Sequence, residues 1–434
     1  MLSPPAFFCF IAASPMTTSL GFLIAARRCE IDELDQLART SELVGTLGRL
    51  VHALQRERGI TNVFLGSGGQ RFAAERAAQV ADCLAREQQV RAALDPLVDD
   101  PRRLAGGARL FPRVAYVLQG LDALPGLRAR IEGLAVGPDL ATAAFVKLIA
   151  GLLAVVFEAA DGATDPDISR WLVAMFNFMQ GKEFAGQERA FGAAAFLRGG
   201  NDDAQRQQWL HLIESQERCF GLFCEFSDET LRTQWQASQA PAQLAELERL
   251  RRIGCTSPAG TVLDANLSPL WFEGCTRRID AMQAIEDGLA CELRALCGHK
   301  IGQARAELQR YEALQAEAVT PGDFFADAAA ETAEAPAAGY GRNLERSVLQ
   351  MVQEQSRRLQ AMNDELQTVR ASLNERKVVE RAKGLLMAHR QLSEEEAHKM
   401  LRQTAMNQNR RLVDVAESVL AMADFLPLGG SASR

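Results

Sequence analysis

Leu43, Leu47, Leu50 and Leu54 fall four and three residues apart, the spacing of one face of an α-helix. The rhythm returns along residues 20–315. Met175, Phe178, Lys182, Ala185, Arg189, Gly192 and Phe196 make one stripe, and Met282, Ile285, Leu289 and Leu293 another. Short polar breaks punctuate it at LGSGGQ (65–70), DDPRRLAGG (99–107), GATDPD (162–167), RGGND (198–202) and GCTSPAG (254–260). Runs of β-branched residues are scarce, and Ala, Leu, Glu, Gln and Arg dominate. The pattern predicts an all-α protein, with residues 20–318 as one large helical domain.

The pattern changes after that domain. Residues 319–341 are rich in Ala, Pro and acid and read as a flexible linker. Val348, Val352, Gln355, Leu359, Met362, Leu366, Val369 and Leu373 then repeat at 4-3 spacing. Over residues 342–373 this is a heptad seam, expected to pair two chains as a coiled coil, with Gln355 as a polar register position; a single amphipathic helix packed on its own chain gives the same spacing. Residues 374–428 read as three short helices. The first continues the seam helix. The second opens at a capping box, Ser393 with Glu396, and the third follows a cap at Asn409.

Charge separates the parts further. The whole chain carries −7, yet ten basic and eight acidic residues give 371–434 about +2, leaving about −9 for the rest. Nine cysteines are scattered without metal-ligand spacing, which fits a reducing cytoplasm and small buried hydrophobes. The five histidines form no HExxH and no cluster with cysteine, and no GxSxG, P-loop or GxGxxG occurs, so nothing supports an enzyme, a metal or a cofactor. Residues 1–19 are apolar but lack a basic leading region and are broken by Pro4, Pro5 and Pro15. They read as an extension, with Met16 a candidate start, rather than a signal or anchor; no other membrane span stands out.

Three arginines sit where a hydrophobe is expected. Extending the Leu43–Leu54 stripe lands on Arg58, then Thr61, while Arg56 falls off the face. Arg189 lies on the stripe of small and apolar residues from Met175 to Phe196. The Met282–Leu293 stripe points back to Arg278, whereas Arg277 aligns with Ala281, Ala284 and Gly288. A buried arginine without a partner is costly. Glu57, Glu183 and Glu188 are candidate counter-ions for each arginine separately. The other solution is a shared anion site, because guanidinium offers fixed paired donors to a planar oxyanion such as nitrate. At the C-terminal end, Arg376, Lys377, Arg381, Lys383, Arg402, Arg410 and Arg411 form a basic surface suited to a phosphate backbone, with Gly384 removing bulk beside Lys383.

The C-terminal module resembles the ANTAR domain. The matching features are Arg376, an Ala382-Lys383-Gly384 turn with Leu386-Met387, Ser393 with Glu394–Glu396, Ala397, Leu401-Arg402, Asn409-Arg410 and Val415-Ala416. The resemblance implies recognition of paired RNA hairpins and prevention of a terminator, by a module that reads backbone shape and splayed loop bases. Residues from about Phe22 to Leu314 resemble the NIT domain. The pieces are Gln55-Arg56-Glu57-Arg58-Gly59, Gly186-Gln187-Glu188-Arg189-Ala190, and Trp271-Phe272 with Thr276-Arg277-Arg278-Ile279-Asp280.

This second resemblance implies two helical bundles with nitrate or nitrite held between helices by Arg58 and Arg189, then Arg278, with Arg56, Arg277 and Thr61 as further candidates. The order of the two domains is similar to the nitrate-responsive antiterminators of nitrate assimilation genes, the NasR type. It implies a cytoplasmic homodimer, without membrane attachment, that binds hairpin leader RNA and acts on the transcription elongation complex indirectly. The rival expectation is an anion-sensing protein that signals through protein partners and uses its C-terminal module for dimerisation.

Overall fold

Polar breaks become helix ends for local chemical reasons. In GATDPD, Asp165 caps the next helix by accepting from the Ile168 amide at 3.0 Å, and Pro166 occupies the first turn, where a missing N–H costs nothing. That helix stops at Gly199, whose φ of 79° ends it in the left-handed region. In RGGND, Asp202 and Gln205 close a reciprocal capping box over the following helix.

The computed structural model describes residues 19–99, 107–257, 262–316 and 340–423, apart from 391, 393 and 409; side chains in the segment from 340 are described from Glu354 onward. Among the described residues there are twelve helices and no strand. They are α1 (Ser19–Gly66), α2 (Ala73–Asp99), α3 (Gly107–Glu132), α4 (Pro138–Asp161), α5 (Pro166–Arg198) and α6 (Asp203–Phe226). There follow α7 (Glu229–Ser238), α8 (Pro241–Thr256), α9 (Leu267–Ala316), α10 (Tyr340–Arg390), α11 (Glu394–Gln408) and α12 (Leu412–Ala423). The expected extension, most of the linker and the caps at Ser393 and Asn409 lie outside the described residues.

These helices divide between two compact units. One draws on Met1–Gln36 and Cys297–Met362, the other on Leu37–Leu296 and Asn363–Arg434. In the first, Leu20, Leu23 and Ile24 of α1 pack on Leu308, Tyr311 and Leu314 of α9. Arg27 is buried there, paired with Glu30 and Glu307, and it donates to Gln355 at 2.8 Å. Gln355, expected to set the register between two chains, is thus bonded within its own chain. Leu359 is 56% exposed.

In the second unit, one group of helices closes around α1. Gln79 of α2 donates to the Ala53 carbonyl at 3.1 Å, and Thr142 of α4 donates to Asn62 at 2.8 Å. The other group closes around α5, which is buried along most of its length. Phe178 meets Phe220, Phe223 and Trp235 edge-on, and Trp209 meets Trp271 at 5.1 Å between ring centres. Leu366, Val369 and Leu373 are also buried in this unit, so the C-terminal half of the seam is covered by the same chain. Seam hydrophobes satisfy the burial requirement equally well on a neighbouring helix of their own chain.

The C-terminal module is built from the end of α10 with α11 and α12. Ala382, Leu401, Ala405, Val415 and Ala416 form its core. Ala382-Lys383-Gly384, expected as a turn, lies inside α10. A helix tolerates one glycine at a cost of about 1 kcal/mol. A side chain at Gly384 would enter open space, so no part of the chain uses the room it leaves. A second departure concerns α4. Its mean hydropathy of 2.3 over 18 residues makes it long and apolar enough to cross a membrane, which the sequence reading passed over. Half of that window is buried, and Phe145, Ile149, Leu152 and Val156 belong to the protein core.

Helix packing around the tryptophans leaves no room at Gly254, where a methyl group would overlap the Trp209 ring. Gly254→Ala is expected to lower stability by about 1–3 kcal/mol, the usual cost of overpacking. Urea denaturation checks this, and an unchanged midpoint would mean that the ring moves aside freely.

Candidate functional site

Two Glu-Arg dipeptides, Glu57-Arg58 on α1 and Glu188-Arg189 on α5, are used in the same way. Each glutamate is buried and receives a distal arginine of its own helix group through two parallel hydrogen bonds. Arg128 of α3 donates to Glu57 at 2.8 and 2.7 Å, and Arg251 of α8 to Glu188 at 2.8 and 2.7 Å. Burial alone would raise the Glu188 pKa, but the Arg251 guanidinium outweighs it and holds the carboxyl below the usual range. Adjacent residues on a helix point about 100° apart. With the glutamates turned to their own groups, Arg58 and Arg189 turn toward the other helix.

There each arginine lies over a glycine of its neighbour. A Cβ at Gly186 of α5 would stand 2.6 Å from Arg58 Nη2, and one at Gly59 of α1 would overlap Arg189 Nη2. With glycine at both positions the guanidinium groups lie directly against the neighbouring backbone, and any side chain there would displace them. Arg58 is bidentate to Glu183: Nη1 bonds Oε1, and Nη2 reaches Oε2 at 3.2 Å. Glu183 also accepts from Gln55 and Gln187, each at 2.9 Å.

Among the described residues no carboxylate is ion-paired with Arg189; Asp280 and Glu183 act on it only from further away. Arg189 donates to Thr276 Oγ1 at 3.0 Å and to the Gln55 carbonyl at 3.2 Å, and it stacks on Phe272 at 4.9 Å. The Thr276 hydroxyl gives its own proton to the Phe272 carbonyl, so it serves Arg189 only as an acceptor. Burial, and then Arg58, pull the Arg189 pKa down to about 10. Arg58 Nε, Arg189 Nε and the buried Thr61 hydroxyl have no hydrogen-bond partner.

Two turns before Arg189 on α5, Lys182 is fully buried and pairs with Glu286 of α9 at 2.5 Å, donating also to Gln283 at 2.6 Å. Burial pushes the Glu286 carboxyl up against the pull of Lys182. His52 of α1 is pushed down to about 3 by burial, then by Lys182, Arg56 and Arg189, and is neutral at physiological pH.

The remaining expected ligand residues lie elsewhere. Arg278 is half-buried and donates to Gln216 at 2.9 Å, within the group of Glu188 and Arg251. Arg56 is exposed. Arg277 is exposed too, 3.6 Å from Glu273. Helical phase decides this, because adjacent arginines cannot share one face. The sequence gives no site role to Arg128 or Arg251, and it shows Gln55 only as part of the Gln55–Gly59 motif. Arg128 and Arg251 lie 71 and 63 residues from their glutamates, so no local spacing announces them. Among the described residues no group of three or more His, Cys, Asp or Glu is arranged to hold a metal.

The basic surface of the C-terminal module divides into an exposed and an engaged set. Arg381, Arg410, Arg411 and Gly384 are exposed, with Arg411 3.3 Å from Glu375 and Arg410 donating to the Asp414 carbonyl at 2.9 Å. Lys383 is buried beside Glu380 at 2.8 Å. Arg376 stacks on Phe176 of α5 at 4.6 Å and donates to Asn177 at 3.5 Å. Lys377 pairs with Asp161, at the end of α4, at 2.5 Å. Arg402 of α11 pairs with Glu214 of α6. His398 lies 5.1 Å from His211, and burial, with Arg218, His211, Lys383 and Arg402 adding to it, pushes it down to about 4. Three cations expected to face a phosphate backbone are thus held by acidic, amide and aromatic groups of the larger domain.

Comparison with known proteins places both regions. Residues 49–294 match the family model for nitrate and nitrite sensing, NIT, and residues 367–420 match the ANTAR domain. The chain is 35% identical over 401 residues to the nitrate regulatory protein of Klebsiella oxytoca, covering 92% of this chain and 93% of that protein. The solved structure of the NasR transcription antiterminator is similar with a TM-score of 0.57 at 31% identity, over 93% of this chain and 99% of that one.

The Arg58–Glu183 pair has a direct consequence. Arg58→Ala leaves a buried carboxylate without its counter-ion and is expected to cost about 3–5 kcal/mol. Replacing both residues, Arg58→Met with Glu183→Leu, is expected to recover most of that loss. Chemical denaturation of the single and double variants measures it, and a double variant no more stable than Arg58→Ala would mean that the pair is not the source of the cost.

Proposed function

The chain belongs to the nitrate- and nitrite-sensing family and carries an ANTAR domain, and on that premise we propose that it is a nitrate-responsive transcription antiterminator. Both matched families are regulatory, one a sensor and one an RNA-directed module, and neither is an enzyme family. The observation that carries the reading is Arg189, a buried guanidinium with no ion-paired carboxylate among the described residues, set against Arg58 across the α1–α5 contact. In this reading nitrate, or its close analogue nitrite, supplies the missing negative charge. It draws on donors of α1 and α5 together, which a single surface arginine cannot offer.

Helix α5 gives the signal a short route. Asn177 and Phe176 hold Arg376 of the effector module, and Arg189 lies twelve residues further along the same helix, about 18 Å at 1.5 Å per residue. A shift of α5 against α1 acts on both ends at once. Magnitudes are compatible. Exposed ion pairs such as Arg402–Glu214 are worth about 0–1 kcal/mol each. Turning an equilibrium from 1:99 to 99:1 takes about 5.5 kcal/mol of differential binding. Charge-assisted hydrogen bonds bring about 1.5–3 kcal/mol apiece. About two to four such bonds, made only in the activated form and shared between two arginines, span the required range.

In this reading the conformation in which the larger domain covers Arg376, Lys377 and Arg402 is the inactive one. Release presents them, with Arg381, Arg410 and Arg411, to a hairpin leader RNA. The effect on the transcription elongation complex is indirect, through the hairpin that competes with the terminator. The active form is a cytoplasmic homodimer.

Arg189→Gln tests the site without stranding a carboxylate. Isothermal titration of the wild-type protein is expected to give saturable nitrate binding at about one site per chain, and the variant none while it melts as the wild type does. Normal nitrate binding by the variant would dismiss the site. Asp161→Asn frees Lys377 and is expected to raise hairpin RNA affinity severalfold without nitrate in a gel shift. An unchanged affinity would show that the contact does not restrain the effector.

A further inference from the structure

Charge balance around the α1–α5 contact is uneven, and the imbalance has a fixed value. Glu57 with Arg128 is neutral, and so is Lys182 with Glu286. The group of Glu188, Glu248, Arg251 and Arg278 holds two carboxylates and two guanidinium groups. His52 is neutral. Of the buried groups Arg58, Arg189 and Glu183 are left, with two positive charges and one negative, all at most 4% exposed, while Asp280 acts on Arg189 from the exposed side of α9.

Glu183 is not loosely placed. It takes two donors from Arg58 and one each from Gln55 and Gln187, so its carboxylate is held in one orientation. It fills both terminal nitrogens of Arg58 and leaves Nε unpartnered, as Arg189 Nε and the Thr61 hydroxyl are unpartnered.

We propose that Glu183 is the charge-selectivity residue of the sensor site: it holds the buried site at a single net positive charge, so a monovalent oxyanion is accepted and a divalent one rejected. The proposal rests on the anion-sensing reading of Arg58 and Arg189. A monoanion brings the site to neutrality. Sulfate, divalent at neutral pH, leaves an uncompensated negative charge in a water-excluded contact, where desolvation costs several kcal/mol. Without Glu183 the site carries two positive charges and matches the dianion instead. Guanidinium donors alone do not favour the monoanion, because their paired N–H groups can bond the oxygens of either ion and their charge attracts a dianion more strongly. The shape of the ligand, planar against tetrahedral, is the competing origin of selectivity.

Glu183→Gln separates charge from shape, since it keeps the size of the side chain and an oxygen acceptor for Arg58 while removing the charge. Wild-type protein and variant are titrated calorimetrically with sodium nitrate and with sodium sulfate at matched ionic strength. The expected result is selective nitrate binding by the wild type, with the nitrate-over-sulfate affinity ratio falling by about tenfold or more in the variant as sulfate binding is gained. A variant that binds nitrate with the wild-type ratio would overturn the proposal and assign selectivity to shape. Comparable binding of sulfate and nitrate by the wild type would overturn it too, whether or not the variant folds. If the wild type binds neither anion, the sensor site itself fails, and the proposal with it.

Discussion

Charge buried between α1 and α5 organises this molecule. A guanidinium in a dry helix contact must find a partner or shift its ionisation; of the six buried arginines among the described residues four find a carboxylate, while Arg76 bonds the Arg128 carbonyl and stacks on Phe64. Arg128, Arg251 and Arg58 each have theirs, and Lys182 has Glu286. Arg189 does not, and a pKa pulled down to about 10 by burial and by Arg58 records the cost. That cost falls on the helix contact that joins the two helix groups of the larger domain, so whatever relieves it changes how tightly the two helices hold one another.

The repeated Glu-Arg dipeptide explains how such a contact is made from ordinary parts. Glutamate and arginine side by side on a helix face different directions, so one residue anchors to its own helix group while the next faces the neighbour. Gly59 and Gly186 then remove the side chains that would block the guanidinium groups. The arrangement is reciprocal except at one place: Glu183 stands beside Arg58, and no described carboxylate is paired in the same way with Arg189. This asymmetry leaves one net charge rather than two or none, and it is the chemical basis for a sensor of a single small anion.

The same constraint reaches the effector module. Cations that suit a phosphate backbone suit any acidic surface, and in this conformation Asp161 and Glu214 occupy them. The exposed Arg402–Glu214 pair is weak, and Lys377 shares its buried Asp161 with Arg109. A domain held by contacts of this kind is released by a modest free-energy change elsewhere on α5, and a strongly bound one would not be.

Much of this was legible in the chain. The 3.6-residue rhythm gave the helices, and Asp-Pro and Gly-Gly breaks marked where α5 begins and ends. Arg58, Arg189 and Thr61 stood out because each interrupts an apolar face, and Glu57, Glu183 and Glu188 were visible as candidate counter-ions. What no local pattern carried was the pairing. Which carboxylate neutralises which arginine is decided by contacts between residues 63 to 125 positions apart. Arg278 sits on a correct helical face yet belongs to the neutral Glu188 group, because a face is a direction and several partners lie along it. The seam hydrophobes were equally plain, but Gln355 and Leu366–Leu373 are satisfied by their own chain, since burial is indifferent to which chain supplies the cover. The sequence by itself determined the helices, the domain order and the residues that needed partners, because these follow from side-chain periodicity and the cost of buried charge. The tertiary structure alone decided that Arg189 goes without an ion-paired carboxylate among the described residues, because charge compensation is settled by proximity in space, which spacing along one helix does not encode.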